Sequence, residues 1–533
     1  RQTMRPIATP SISRPRCRLP LSAVALATLA LAGAARAQVP MEVPGAATQV
    51  QESITPQGPP PRVWIEPRVF ARQWYTDNYL LSGTDRQSEW TTELGASVLA
   101  VFNLPRLTGS VDYSLSGLYQ AQGVGQEDHL QGLDANLLLD AWNNTAFVEF
   151  NGNVGRSRVS AFDVQPVGDF ERPNLAETKQ FRISPYLRGS FNDAVDYELR
   201  YSRFTSRTQA DNRSDIDENT VSGRLASSEG VARLGWALDA SRSNLDYSLG
   251  RKVTLQQVIG QLNYAVTPTL LVYVQGGRES NNVLTADTES YSTWGGGFNW
   301  RPTQNARIAM GANKRFFGHD HNLQAEYQMR RAVVRFTDSR DISTSQLGLG
   351  DGSTTLSGLL DALYGGSIPD PVQRAQRVQS ELERLGLPGN TTNFPGYLTS
   401  FVTEQRIQEL AFVLMLNRGA LTAAIQRTRS NQLNNSLVTG DDFNFASEIL
   451  QKGWSVAYAH RLSPRSAASV TFQRQENVGV GTTLFNRLDS ITLALTTRLS
   501  ARTTGVVMLR RSSFDATTPY RETAIQAMVS HRF

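Results

Sequence analysis

The sequence predicts an all-β fold, a transmembrane antiparallel up-and-down β-barrel of about 22 strands, with roughly 20 to 22 compatible with the turn pattern. Three observations support it. The last stretch, Tyr520 to Phe533, alternates as a strand does, with Ile525, Ala527 and Val529 on one parity. Similar segments recur from Arg62 onward. Tight turns alternate between them with longer polar loops, as in outer-membrane barrels.

The first 37 residues are typical of a cleaved secretory signal peptide. Arginines precede the apolar run from Leu19 to Ala34, and Ala35-Arg36-Ala37 forms a cleavage site. The alternative, a membrane-spanning helix, is disfavoured because the run is short and ends in small residues. Cys17 lies before the predicted cleavage site, so neither a lipoprotein anchor nor a thiol is expected in the mature chain.

The charge gives no indication of nucleic-acid binding. Six arginines and no carboxylate lie in residues 1–37, so the formal charge of +5 falls to −1 without them. Residues 38–61 are rich in proline and glutamine, which predicts a disordered periplasmic tail. This tail is too short for the folded plug of an energised receptor, and no composition break divides the rest, so 62–533 is predicted to be the barrel.

Several segments alternate cleanly enough to assign faces. Within Val195–Tyr201 the apolar residues alternate with Asp196, Glu198 and Arg200. A soluble β-sandwich also alternates, but it seldom repeats this pattern so often without a separate core. Leu410–Leu416 is an exception, because it is apolar on both faces.

The predicted turns give an even number of strands, which places both chain ends on the periplasmic side. The count depends on a hairpin at Arg330-Arg331. The segment Tyr75-Thr76-Asp77-Asn78 is expected to lie beside the final strand where the barrel closes, and Phe533 is the expected terminal assembly signal.

A helical insert interrupts the strands at residues 343–401. Asp370-Pro371 is typical of a helix start and Gly386 of a helix end. The order of upward and downward strands predicts that this insert lies on the extracellular side. The apolar stripe of this helix is expected to pack on a first helix or in the barrel mouth; the alternative is a partner protein.

The informative polar residues have lumen parity, since arginine on the lipid face costs ~2 to 4 kcal/mol at mid-membrane. The pair of predicted strands that precedes residues 180–240 adds three acidic residues of lumen parity, Asp134, Asp140 and Glu149. They form either a mutually neutralising wall or a substrate track. The candidates for substrate contact are Arg182, Arg188, Glu198, Arg200, Arg233 and Asp239.

No catalytic or cofactor site can be assembled from the sequence, so no enzyme activity and no cofactor are expected. His319-Asp320-His321 is predicted to be a solvated outer loop rather than a metal site. Gly295-Gly296-Gly297 lies within a strand pattern and is not a phosphate-binding loop.

Two stretches resemble a known family. Ile65-Glu66-Pro67-Arg68-Val69 with Trp74-Tyr75-Thr76-Asp77-Asn78, and Pro395-Gly396-Tyr397-Leu398-Thr399-Ser400 with Val402-Thr403-Glu404-Gln405-Arg406, are similar to the EpsL-like outer-membrane β-barrels associated with PEP-CTERM and exopolysaccharide gene clusters. The resemblance covers most of the mature chain. It implies a role in the outer-membrane passage or assembly of an exopolysaccharide and brings no catalytic residues.

Two functions are therefore weighed: a channel or assembly factor for exopolysaccharide, and a general diffusion porin without a dedicated substrate. A barrel enzyme acting on lipid or polysaccharide is a third class without a recognisable site. The expected partners are outer-membrane lipid, the barrel assembly machinery and, for the first function, exopolysaccharide and periplasmic export components.

Overall fold

The computed structural model describes residues 62–123, 129–168, 174–228, 233–344, 355–369, 371–387, 394–434 and 439–533. The predicted signal peptide and tail, and Asp370 at the predicted helix start, lie outside these residues. The β-strands form one closed sheet of 22 strands. The predicted barrel is therefore confirmed.

The strands and helices follow the chain in order. They are β1 (Val63–Thr76), β2 (Glu89–Asn103), β3 (Leu107–Gln120), β4 (His129–Trp142), β5 (Ala146–Arg158), β6 (Leu175–Phe191), β7 (Val195–Thr208), β8 (Ile216–Ser227), β9 (Leu234–Tyr247), β10 (Val253–Thr267), β11 (Leu270–Asn281), β12 (Glu289–Thr303), β13 (Ala306–Arg315), β14 (Gly318–Gln328), β15 (Ala332–Ser343), α1 (Leu356–Gly365), α2 (Pro371–Leu385), β16 (Thr403–Leu416), β17 (Gly419–Gln432), β18 (Glu448–Arg461), β19 (Ser466–Gly479), β20 (Phe485–Arg498), β21 (Thr503–Asp515) and β22 (Tyr520–Arg532). Neither helix in the described part of the chain is long and apolar enough to cross a membrane.

Each strand pairs antiparallel with its neighbours in sequence, and β1 closes the barrel against β22. Tyr75 lies opposite Ile525 in this closing pair. Asp77 continues it, because its amide donates to the carbonyl of Thr523 at 3.1 Å. The prediction that Tyr75–Asn78 lies beside the final strand is thus confirmed.

The two ends of the barrel differ. One end, here called the turn end, carries the tight hairpins, including Arg330-Arg331, where the Met329 amide donates to the Ala332 carbonyl at 2.7 Å. The other, the loop end, carries the long connections between β5 and β6, β15 and β16, and β17 and β18. The hairpin on which the even strand count depends is confirmed.

The outer face is apolar and the inner face is polar. Leu94, Val274 and Trp294 point outward and are 61–63% exposed, which suits a lipid-facing surface. Arg72 and Glu93 point inward and form a buried ion pair of 3.2 Å. Aromatic side chains are exposed near the strand ends, where a barrel meets the membrane interfaces. They include Trp90, Tyr119, Trp142, Phe191, Trp300 and Phe533.

The helical insert leaves β15 at the loop end, but its helices do not lie outside the barrel there. Leu356, Leu359 and Leu360 of α1 are fully buried in one cluster with Val333 and Val413, which lie near the turn end of β15 and β16. The prediction of an extracellular position is therefore wrong for the helices. The physical reason is their apolar stripe, which is buried deep in the lumen.

The second helix closes this cluster and ends as predicted. Gly386 has φ +64°, and its amide donates to Glu383 while the amide of Leu387 donates to Leu382, both at 3.2 Å. These two bonds are a Schellman motif, which requires a left-handed residue that glycine adopts without a steric cost. Arg374 of α2 donates to Asp361 of α1 at 2.7 Å and ties the helices together.

Candidate lumen site and its closing segments

A charged cluster lies on the inner wall formed by β5, β6 and β7, in the half nearer the turn end. Arg200 donates to Glu149 at 2.8 Å and to Glu198 at 3.0 Å. The three side chains are 23–38% exposed, so they are reached by water from the lumen. Their partial hydration makes them an inner surface rather than a dry core.

Two aromatic rings support this cluster. Phe147 and Tyr186 lie opposite each other on β5 and β6 and stack with centroids 5.1 Å apart. The Arg200 guanidinium lies 3.9 Å from the Tyr186 centroid, and that of Arg188 lies 4.1 Å from the Phe147 centroid. Cation–π contact fixes both guanidinium groups on the wall, while the buried rings keep the wall rigid.

The other predicted residues are placed at separate points. Arg182 faces the lumen and stacks on Phe204 at 4.8 Å. Asp239 on β9 accepts from Arg224 on β8 at 3.1 Å. Arg233 directly precedes β9 at the turn end and is exposed. Only Arg188, Glu198 and Arg200 are therefore brought together in one cluster.

Sequence reasoning missed the residues that organise this wall. Phe147 and Tyr186 share lumen parity with Glu149 and Arg188, but alternation alone does not indicate that an aromatic ring on the lumen face supports an arginine. Arg224 has the lumen parity too and could have been found with Asp239. Contact of the predicted residues with a substrate stays a prediction.

Phe533 lies at the turn end of the closing strands. Its amide donates to the Pro67 carbonyl at 3.1 Å, and its ring packs edge-on to His531 with centroids 5.0 Å apart. The ring is 64% exposed. Its side chain therefore adds little to the folded barrel and is accessible for recognition.

At the loop end, three connections interlock above the lumen. We call the set formed by residues 159–168, 394–402 and 439–446 the cap. Arg213, in the β7–β8 loop, donates to the carbonyls of Val159 at 2.7 Å, Leu398 at 3.0 Å and Gly440 at 2.8 Å. One guanidinium thus holds all three segments of the cap, a role that suits the fixed fork of arginine donors.

Two adjacent carboxylates complete this junction. Asp441 accepts from the Ser400 amide at 2.8 Å. Asp442 accepts from the Ser160 hydroxyl at 2.7 Å and from the Ala161 amide at 2.6 Å. Burial raises the pKa of Asp442 to about 6 against the opposing effect of these bonds.

The cap also reaches the wall on the other side of the barrel. Asn477 on β19 donates to the Ala161 carbonyl at 2.8 Å, and the Tyr520 hydroxyl on β22 donates to the Gln165 carbonyl at 2.6 Å. Because residues 159–168 leave the wall at β5, this connection crosses the mouth. The cap therefore covers part of the mouth at the loop end.

The predicted outer loop at His319-Asp320-His321 is instead the start of β14, so that prediction is wrong. The short connection after β13 explains the difference, since strand pairing with β13 begins at Gly318. His321 Nε2 contacts Asp338 at 3.0 Å. Across the described ranges, His, Cys, Asp and Glu side chains form no group of three or more suited to a metal ion.

Comparison with known proteins gives structural likeness only. No family model matches the chain, and no curated protein matches it. The siderophore receptor PirA from Pseudomonas aeruginosa has 9% identity and a TM-score of 0.43, over 90% of this chain and 81% of that one. The FrpB iron transporter from Neisseria meningitidis has 8% identity and a TM-score of 0.47, over 88% and 81%. Pseudomonas aeruginosa OccK5 (OpdH) has 11% identity and a TM-score of 0.29, over 88% and 98%. Likeness at this level carries no information about function.

Proposed function

We propose that the protein is an outer-membrane channel with a role in exopolysaccharide passage or assembly. The apolar outer face suits lipid, and the resemblance of Trp74–Asn78 and Pro395–Ser400 to the EpsL-like barrels gives the substrate class. The proposal needs a polar path through the barrel.

The asymmetry of the lumen carries this proposal. Along β15 to β19 the inner wall is covered by α1 and α2, which bury Ala411 and Val413 completely. Along β5 to β9 the inner wall carries partly exposed charges, among them Glu149, Arg200 and Asp239. A barrel filled only for stability would bury both sides. A wetted, charged side beside a dry, filled side fits a conduction path along β5 to β9.

A general diffusion porin is the second candidate. It is favoured by the pairing of the wall charges, since Arg200 is matched by Glu149 and Glu198, and Arg224 by Asp239. A neutralised wall conducts small polar solutes without selecting among them.

Two measurements distinguish these functions. Deletion of the gene should abolish surface polysaccharide, with recovery on complementation; normal polysaccharide in the deletion strain would reject the first function. In planar bilayers, a dedicated channel should show current block by saccharide chains. Large steady currents without such block would favour the porin, and a silent folded barrel would reject both channels.

A further inference from the structure

A row of arginines crosses the inner wall near the turn end of β12 to β15. Arg307 on β13 lies opposite Glu326 on β14, and Glu326 lies opposite Arg335 on β15. Arg301 on β12 lies in the bulge that faces Arg307. Their outward neighbours Trp300, Met310 and Tyr327 are exposed on the other face. With strands spaced ~4.8 Å apart, the row spans about 15 Å of the lumen wall.

The charges in this row do not balance. Glu326 is engaged by Arg335, which donates to it at 2.9 and 2.7 Å. Nε of Arg307 is buried and has no hydrogen-bond partner in the described part of the chain. The row itself thus carries three guanidinium groups and one carboxylate, and a buried donor such as Nε of Arg307 is costly to leave without a partner unless a ligand satisfies it.

The first helix adds to the positive potential. A Cβ built on Gly358, in the first turn of α1, would lie 3.8 Å from Nη1 of Arg335. No acidic residue lies in that turn. The amino-terminal end of a helix favours anions because its first N–H groups have no partners within the helix. The row and the helix end therefore act on the same part of the lumen.

We infer that Arg301, Arg307 and Arg335 form a binding site for the carboxylate groups of an acidic polysaccharide that reaches the lumen from the turn end. This inference rests on the proposed function and names its substrate class. Arginine forks match carboxylate oxygens in geometry as well as charge. The site faces the lumen at the turn end instead of the lipid, so a polymer that enters from the turn end reaches it and a lipid headgroup on the outer face does not.

The test measures binding to the purified full-length barrel in detergent micelles by titration calorimetry. The probes are trigalacturonate, the neutral trisaccharide maltotriose, and inorganic phosphate. Arg307→Gln is the informative variant because Nε of Arg307 has no partner among the described residues, so its removal should leave the fold intact. Arg330→Gln removes the same charge from the exposed turn between β14 and β15 and is the matched control.

Trigalacturonate should bind the wild-type barrel, maltotriose should not, and Arg307→Gln should weaken binding at least about tenfold, as loss of a charged hydrogen bond does. Arg330→Gln should leave the affinity within about twofold. Equal binding by Arg307→Gln, equal binding of maltotriose, or binding of phosphate alone would overturn the inference. If Arg307→Gln loses its heat-modifiable mobility, Arg301→Gln replaces it with the same expected loss.

This binding assay needs no current through the barrel. A barrel that binds trigalacturonate but passes no current in bilayers would reject the proposed channel and leave the site standing. A conducting barrel that does not bind trigalacturonate would reject the site and leave the channel standing.

Discussion

Arg213 and Asp441 form an ion pair of 3.9 Å whose side chains are only 1% and 0% exposed. The pair lies where the three segments of the cap meet. Removal of one partner from such a buried pair leaves the other charge without compensation, which costs more than the pair contributes. Arg213 should therefore decide whether the cap is closed.

The first prediction is that Arg213→Ala opens the cap. It removes the donors to Val159, Leu398 and Gly440 and leaves the buried Asp441 carboxylate without its cation. The free energy of cap closure should therefore become less favourable by about 3 kcal/mol or more. Hydrogen exchange of residues 394–402 should accelerate, and conductance should rise. Arg251→Ala is the control, because Arg251 donates to the carbonyls of Asn282 and Thr285 in a loop beside its own. If both variants conduct alike, the cap does not limit passage.

The second prediction concerns pH. The pKa of Asp442 is raised from 3.8 to about 6. Between these two pH values Asp442 is therefore protonated in the native cap and ionised in the unfolded chain. Protonated Asp442 therefore stabilises the cap by up to about 3 kcal/mol. This contribution is complete below about pH 4 and is lost as the pH rises through 6.

Protection factors of the cap amides between pH 4 and pH 7.5 measure this effect. Asp442→Asn cannot ionise and can still accept from the Ala161 amide, so its cap protection should vary much less with pH. An unchanged pH dependence in Asp442→Asn would show that ionisation of Asp442 does not cause the effect.

The strands could be predicted because period-two alternation is a local property. The lumen-filling helices could not, although Leu410–Leu416 carried a signal. Its second apolar face, with Ala411, Val413 and Met415, is the face that α1 and α2 cover. In a water-filled barrel the lumen face of a strand is polar, so an apolar lumen face is not expected there. Apolar residues on both faces therefore indicate a locally dry lumen.

The cap could not be predicted from the sequence for a different reason. Arg213 is one arginine among many in the sequence, and its partners Val159, Leu398 and Gly440 contribute carbonyl groups that any residue would supply. Contacts of this kind leave no residue pattern. The resemblance to a known family marked Pro395–Ser400, which contains part of the cap, but gave no contact for it.

The third prediction tests the wall cluster. Arg200→Gln removes the cation that contacts both Glu149 and Glu198, so the path should become more selective for cations, while stability should change by only about 1 kcal/mol because these pairs are partly exposed. The reversal potential in a salt gradient measures this. Arg203→Gln removes the same charge from the outer face of β7 and should leave the potential unchanged. Equal shifts in both variants would place the conduction path elsewhere.

The fourth prediction asks whether the helices leave the lumen during conduction. A Cβ on Gly386 would lie 3.7 Å from that of Ala467 on β19, which is within the range of a disulfide. A Gly386→Cys, Ala467→Cys pair should therefore cross-link α2 to the wall, at about 1 to 2 kcal/mol for the left-handed backbone. Conductance should be the same before and after reduction, because the proposed path runs along β5 to β9. An increase on reduction would show that the helices are a movable plug.

The last prediction separates two roles of the carboxyl-terminal residue. Deletion of Phe533 should lower outer-membrane assembly more than deletion of residues 38–61, since it removes both the exposed ring and the amide that bonds to Pro67.

Phe533→Ala keeps the amide. If the ring is the assembly signal, Phe533→Ala should assemble as poorly as the deletion, yet the purified and refolded barrel should unfold at the wild-type temperature. The folded, heat-modifiable band in outer-membrane fractions gives assembly, and thermal unfolding gives stability. Normal assembly of Phe533→Ala with a defect only in the deletion would assign the effect to closure of the barrel by the amide bond.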